Sequence, residues 1–174
     1  MKIILSHRLA QIKPSPTLSL SAAANRLKAN GKPIINLTVG EPDFDTPESI
    51  KQAARAALDQ GFTKYTAVDG MLALKQAVVD KFKRENKLNY PLDHVIVSSG
   101  AKQSIYNLMQ CLLNPDDEVI IPAPYWVSYP DMALLAEAKP VIIATSIKQQ
   151  LKITPAQLEA AITKKTRLFI INSP

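Results

Sequence analysis

The sequence predicts an α/β domain built on a mostly parallel sheet with flanking helices, and three observations carry that expectation. Apolar, β-branched runs recur at Glu118-Val119-Ile120-Ile121-Pro122, Pro140-Val141-Ile142-Ile143-Ala144 and Arg167-Leu168-Phe169-Ile170-Ile171. Helical segments fall between them, and strands that are apolar along their whole length are those a sheet buries on both faces under crossover helices. Finally, 47% of the 174 residues are apolar, enough for one domain with a real core and far from a disordered composition.

Taken in order, residues 1 to 33 read as an arm and a helix, with helix formers from Ser21 to Ala29 and a stop at Asn30-Gly31. Ile34 to Val39 is a short strand-like run. Gly40-Glu41-Pro42-Asp43-Phe44-Asp45 follows as an irregular turn, because Pro42 and Pro47 remove backbone donors and resist pairing. A helix is expected from Thr46, with Thr46 as its cap and Pro47 in its first position. Ile50, Ala54, Ala57 and Leu58 supply its apolar stripe, and Gly61 closes it. The next helix covers roughly Met71 to Asn86, with Met71, Leu74, Val78 and Phe82 at spacings of three and four. His94-Val95-Ile96-Val97-Ser98-Ser99-Gly100 is a strand-like run ending in small residues, after which Ile105, Leu108, Met109 and Leu112 resume the helical period. Thr154-Pro155-Ala156-Gln157 has capping-box spacing. There is no internal repeat and no low-complexity linker. Leu168 to Ile171 should feed a further connection, so the sequence reads as interrupted at Asn172-Ser173-Pro174.

Composition narrows the function classes. The N-terminus has too few consecutive apolar residues for a secretory signal, and no stretch approaches the roughly 20 that a membrane span needs. A single cysteine excludes an internal disulfide, two distant histidines give no metal-ligand spacing, and a cytoplasmic location is expected. The net charge of +6 is scattered; its densest group, Lys81, Lys83, Arg84 and Lys87, sits among Asp80, Glu85 and Asn86 on a solvated helix face, so no nucleic-acid partner is expected.

The most informative local feature is Val97-Ser98-Ser99-Gly100-Ala101-Lys102-Gln103, where a strand-like run passes through small residues straight into a helix. Such a turn presents backbone donors at the positive end of a helix, which suits a phosphate. The same pattern also fits an ordinary turn with Gly100 at a special backbone angle, and the residues alone leave both readings open. No nucleotide-binding glycine motif is present. Glu41, Asp43 and Asp45 alternate as in a calcium loop, but the turn glycine and distal glutamate are missing. Trp126 lies just beyond a strand's C-terminal end, either as packing or as a ring platform, and Cys111 is expected to be a small core residue.

Five segments in order then resemble the class I aminotransferases of the aspartate aminotransferase family. They are Asn36-Leu37-Thr38-Val39-Gly40-Glu41-Pro42-Asp43-Phe44-Asp45-Thr46-Pro47, Tyr65-Thr66-Ala67-Val68-Asp69-Gly70, Gly100-Ala101-Lys102-Gln103, Pro124-Tyr125-Trp126-Val127-Ser128-Tyr129-Pro130 and Asn172-Ser173-Pro174. The resemblance implies the N-terminal part of the fold-type-I, pyridoxal-phosphate-dependent transferase fold. Residues 1–45 would be the arm and a small-domain segment, and 46–174 the first part of the large cofactor domain. It implies that Gly100, Ala101 and Lys102 hold the cofactor phosphate and that Trp126 stacks on the pyridine ring. Tyr65 would reach the phosphate of the neighbouring subunit of a homodimer. Gly40 would approach the substrate carboxylate through its backbone, and Ser15 with Lys102 would contact the distal carboxylate of aspartate. The alternative at these two residues is that Lys102 only offsets the phosphate charge and Ser15 faces solvent.

The implied reaction moves an amino group between an amino acid, aspartate first, and a 2-oxo acid. In the family the lysine that carries the cofactor as a Schiff base, the acid on the ring nitrogen and the two binding arginines all follow the point where this sequence stops. The 174-residue chain is therefore expected to be inactive by itself, with no catalytic residue of its own. The rival readings are other enzymes of the same fold (prephenate, alanine or aromatic aminotransferases, or a carbon-sulfur lyase) and a non-catalytic binding module derived from it.

Overall fold

The computed structural model describes residues 4–173. The chain forms two compact units, one of Met1–Val39 with Ile105–Pro174 and one of Gly40–Ser104.

The first unit holds the sheet. Strands β1 (Glu118–Pro122), β2 (Lys139–Ile143) and β3 (Thr166–Phe169) lie in the order β2-β1-β3, all parallel. Glu118 stands opposite Lys139 on one side and Thr166 on the other. Helix α6 (Ser128–Leu135) connects β1 to β2, and α7 (Pro155–Ala161) connects β2 to β3. Val119, Ile120 and Ile121 of the central strand are all fully buried, which is the two-faced burial their unbroken apolar run requires. Val119 and Ile121 face Met109, Leu113, Tyr129, Met132 and Ala133, and these form the core. The outer strands are only partly covered: Ile142 and Phe169 remain exposed. Thr154 and Gln157 make the expected capping box at the start of α7.

Two helices open the first unit. Helix α1 (His7–Ala10) contacts α6, and α2 (Pro16–Ala29) begins earlier than its helix formers suggest. Ser15 and Pro16 explain the longer helix. The serine side chain accepts the Leu18 N–H at 3.4 Å and the proline takes the first helical position. The strand expected over 34–39 does not form. The Asn36 side-chain oxygen instead accepts both the backbone N–H and the hydroxyl of Thr38, at 3.0 and 2.7 Å, and Thr38 is hydrogen-bonded to Ser21 at 2.8 Å. These local bonds bend the segment, and Ile35 and Leu37 are 89% exposed because no neighbouring strand covers them.

The second unit contains α3 (Glu48–Asp59) and α4 (Leu72–Lys81), the latter extended by a π-helical turn over Phe82–Asn86. Thr46 is not the cap of α3. Asp45 takes the Thr46 N–H on its own carboxylate and pairs with Lys51, so α3 starts after Pro47 without a side-chain cap. The strand-like run from Val95 to Ser98 joins no sheet among the described residues, again because a ladder needs a second strand. Helix α5 (Ala101–Leu112) follows, and the division between the two units falls within it. Cys111 is exposed rather than in the core, since Met109 and Leu113 define the buried side of α5 and Cys111 points about half a turn away from Met109.

Candidate functional site

The second unit carries the turn singled out by its sequence. Gly100 adopts φ +84°, a left-handed conformation that costs a residue with a side chain, and open space lies where a Cβ would stand. Its own N–H is taken by the Ser98 carbonyl at 2.8 Å. Ser99's N–H is taken by the Gln103 side chain. The donors this turn offers an anion are therefore those of the first residues of α5, which have no carbonyl one helical turn behind them, together with the Ser98 and Ser99 hydroxyls. Lys102 is exposed on that first turn. A glycine with vacant space at its α-carbon, flanked by hydroxyls at a 12-residue helix's positive end, fits a phosphate.

One side of the turn borders a cavity of about 410 Å³, walled by Ser98, Ser99 and Gln103 and, across from them, by Thr66, Ala67 and Val68. The facing loop is held by Asp69 and Gly70. The Asp69 carbonyl accepts the Val97 N–H at 3.0 Å, and Gly70, at φ +110°, packs so closely on Val97 that a Cβ would lie 2.6 Å from Val97 Cγ2. Lys75 reaches the Asp69 carboxylate from α4. That contact holds the Asp69 carboxyl below its ordinary pKa, against a smaller opposing effect of burial. Tyr65, at the start of this loop, is fully exposed, and Gly40 is exposed with nothing near its α-carbon.

Lys75 and Gln103 escaped sequence reasoning, though both left a signal. Lys75 is only 6% exposed and lies on the stripe of Met71, Val78 and Phe82, four residues after the first and three before the second. A lysine on an apolar stripe demands a counter-charge within reach, and its carboxylate lies six residues back, outside any helical spacing. Gln103 is four residues after Ser99, the reach of a side chain that closes a helix start.

In the first unit, Trp126 is half-buried against the core and meets Tyr129 edge-on, with centroids 5.4 Å apart at 83°. The Tyr129 hydroxyl donates to the Asn172 side-chain oxygen at 3.3 Å, which ties the aromatic segment to the residues that follow β3. A largely apolar cavity of about 390 Å³ lies nearby, between Pro122, Pro124, Leu158, Phe169 and Asn172. Ser15 sits at the start of α2, and its hydroxyl accepts a backbone N–H while keeping its own proton to donate. Gly40, Tyr65, Gly100, Ala101 and Lys102 thus belong to one compact unit, and Ser15 and Trp126 to the other. Among the described residues no group of three or more His, Cys, Asp or Glu is placed to hold a metal, and no helix is long and apolar enough to cross a membrane.

Comparison with known proteins identifies the family and the fold. The family model for aminotransferase class I and II matches residues 32–174. The aspartate/prephenate aminotransferase of Nitrosomonas europaea is 61% identical over 170 residues, covering 98% of this chain and 43% of that protein. Among solved structures, the aspartate aminotransferase of Rhizobium meliloti matches with a TM-score of 0.93 at 49% identity, over 99% of this chain and 43% of that one. The Thermus thermophilus aspartate aminotransferase with maleate matches with a TM-score of 0.95 at 43% identity, over 99% and 45%. The α/β expectation holds, and the chain spans less than half the length of each relative.

Proposed function

The chain belongs to the class I and II aminotransferase family, its architecture being part of the fold-type-I fold, and on that premise we propose a role in amino-group transfer. The complete protein would move an amino group from aspartate or another dicarboxylic amino acid to a 2-oxo acid. The observation that carries this reading is the Gly100 turn, with open space at its α-carbon and hydroxyls beside it, in a chain matched to that family. Pyridoxal phosphate would supply the electron sink for the carbon that loses its amino group. Ala101 and Lys102 would donate to its phosphate while Gly100, whose own N–H is taken, leaves it room to approach; Trp126 would lie against its ring, and Tyr65, which projects fully into solvent, would serve the neighbouring subunit of a homodimer. Gly40 would admit the substrate carboxylate close to the backbone.

Residues 1–45 would form the arm and a small-domain segment, and 46–174 the first part of the large domain, in a cytoplasmic enzyme without nucleic-acid or membrane partners. The compact units of this chain divide differently, at 39/40 and 104/105. Substrate choice rests on Lys102 and Ser15, whose ammonium and hydroxyl suit a distal carboxylate. The maleate in the Thermus structure, itself a dicarboxylate, supports that choice. Prephenate stands as a second acceptor because the name of the Nitrosomonas relative joins it to aspartate.

The test is an assay of aspartate with a 2-oxo acid on the complete enzyme and on the 174-residue polypeptide. Turnover is expected only from the former. In the complete enzyme, Lys102→Ala should lower kcat/KM for aspartate at least tenfold more than for an apolar amino acid. Equal losses would leave Lys102 with the phosphate alone, and absence of any amino transfer would refute the reading.

A further inference from the structure

We propose that the Asp69–Lys75 ion pair is a positioning device for the Ser98–Lys102 turn, clamping the Tyr65–Gly70 loop onto Val97 so that the turn is held open for a phosphate. The inference rests on the reading of that turn as the phosphate site. Lys75 is buried, and a buried ammonium without its counter-charge is strongly disfavoured, so the carboxylate of Asp69 is held in place by the solvation of another residue. Asp69 is also the residue whose carbonyl takes the Val97 N–H, and the next residue, Gly70, packs against the Val97 side chain with no room for a Cβ. Three contacts of different kinds therefore converge on one point: an ion pair to α4, a backbone hydrogen bond, and a packing contact that only glycine permits.

That point lies one residue before the turn. Val97 runs directly into Ser98, Ser99 and Gly100, and no sheet among the described residues fixes the segment. The clamped loop and the turn are also the two walls of one cavity, with Thr66 to Val68 facing Ser98 and Ser99. Releasing Asp69 frees one wall and, through the Val97 N–H, loosens the backbone that sets the other. An apolar residue at position 75 would fill the same space, but it would give the exposed loop no directed contact. The pair reaches the turn through Val97, which Asp69 bonds and Gly70 packs against.

The test uses the 174-residue polypeptide with inorganic phosphate as the probe, since pyridoxal phosphate reacts with lysines throughout a chain. Phosphate binding is followed by the amide NMR shifts of Ser99 to Lys102, and local opening by hydrogen exchange of the Val97 amide. Asp69→Asn and Lys75→Met both preserve shape. They are expected to weaken phosphate at least threefold and to speed Val97 exchange about tenfold, while the amides of β1 keep their protection. Lys75→Arg should restore both. A wild-type phosphate response that the variants leave unaltered overturns the role of the pair alone. Loss of protection throughout the chain, in step with the melting temperature, also overturns it by showing a general structural role. Absence of any wild-type phosphate response overturns the phosphate reading of the turn, and the positioning role with it.

Discussion

Replacing Gly70 by alanine puts a methyl group where the structure leaves no room. At φ +110° an L-residue is strained by about 1–3 kcal/mol. The new Cβ would also stand 2.6 Å from Val97 Cγ2 and 2.7 Å from Val97 Cβ, atoms of a stiff β-branched side chain close to its backbone. Overpacking of this kind costs about 1–3 kcal/mol more. Reduced freedom of the unfolded chain returns less than about 1 kcal/mol, so the net destabilisation should be about 3 kcal/mol. Urea unfolding followed by circular dichroism measures it. Val97→Ala removes the Cγ2 contact but neither the Cβ contact nor the backbone strain, so the double mutant should recover only about 1 kcal/mol relative to additivity. A loss below about 1 kcal/mol for Gly70→Ala would show that the loop yields freely, and would refute the argument that Gly70 is held against Val97.

Three other outcomes are expected of this chain. Met109→Ala removes a side chain that is 1% exposed in the core of the first unit, and should cost about 3 kcal/mol by the same denaturation assay; a change under about 1 kcal/mol would mean the core collapses around the space. Asp69 has its pKa lowered in the folded chain, chiefly by Lys75, so its contribution is fully present above the unfolded carboxyl value of about 4 and disappears as pH falls through the folded value below that. The stability gap between the wild type and Asp69→Asn should accordingly narrow below about pH 4, and a gap that is constant from pH 7 to pH 2 would contradict the pairing. Lastly, Ile35, Leu37, Ile96 and Ile171 are 89, 89, 72 and 74% exposed, and the 174-residue polypeptide should self-associate with rising concentration. Light scattering that reports a monomer at every concentration would count against exposed apolar faces that need a partner.

Periodicity by itself determined three of the helices and the three paired strands. Helical spacing placed α3, α4 and α5, and the continuous runs at 118–122, 140–144 and 167–171 placed the sheet to within a residue or two. Local chemistry settled the capping box at Thr154, and with hindsight Ser15-Pro16 marked the start of α2 as plainly. The order of five short motifs was enough to indicate the family, since each motif is a local requirement for backbone shape or for a particular side chain.

Tertiary structure decided whatever depends on a second segment of chain. Ile34 to Val39 and Val95 to Ser98 have strand composition, yet a strand exists only with a partner ladder, and here local bonds from Asn36 and a single bond to Asp69 take its place. The apolar neighbours of Cys111 suggest a core position, but the side of α5 that is buried is set by what packs on Met109 and Leu113. Lys75 shows the same limit most clearly. Its place on an apolar stripe was visible in the residues, whereas the carboxylate that makes its burial tolerable arrives from a loop whose path is set by the fit of Gly70 against Val97, a contact between positions 27 residues apart that no local pattern encodes.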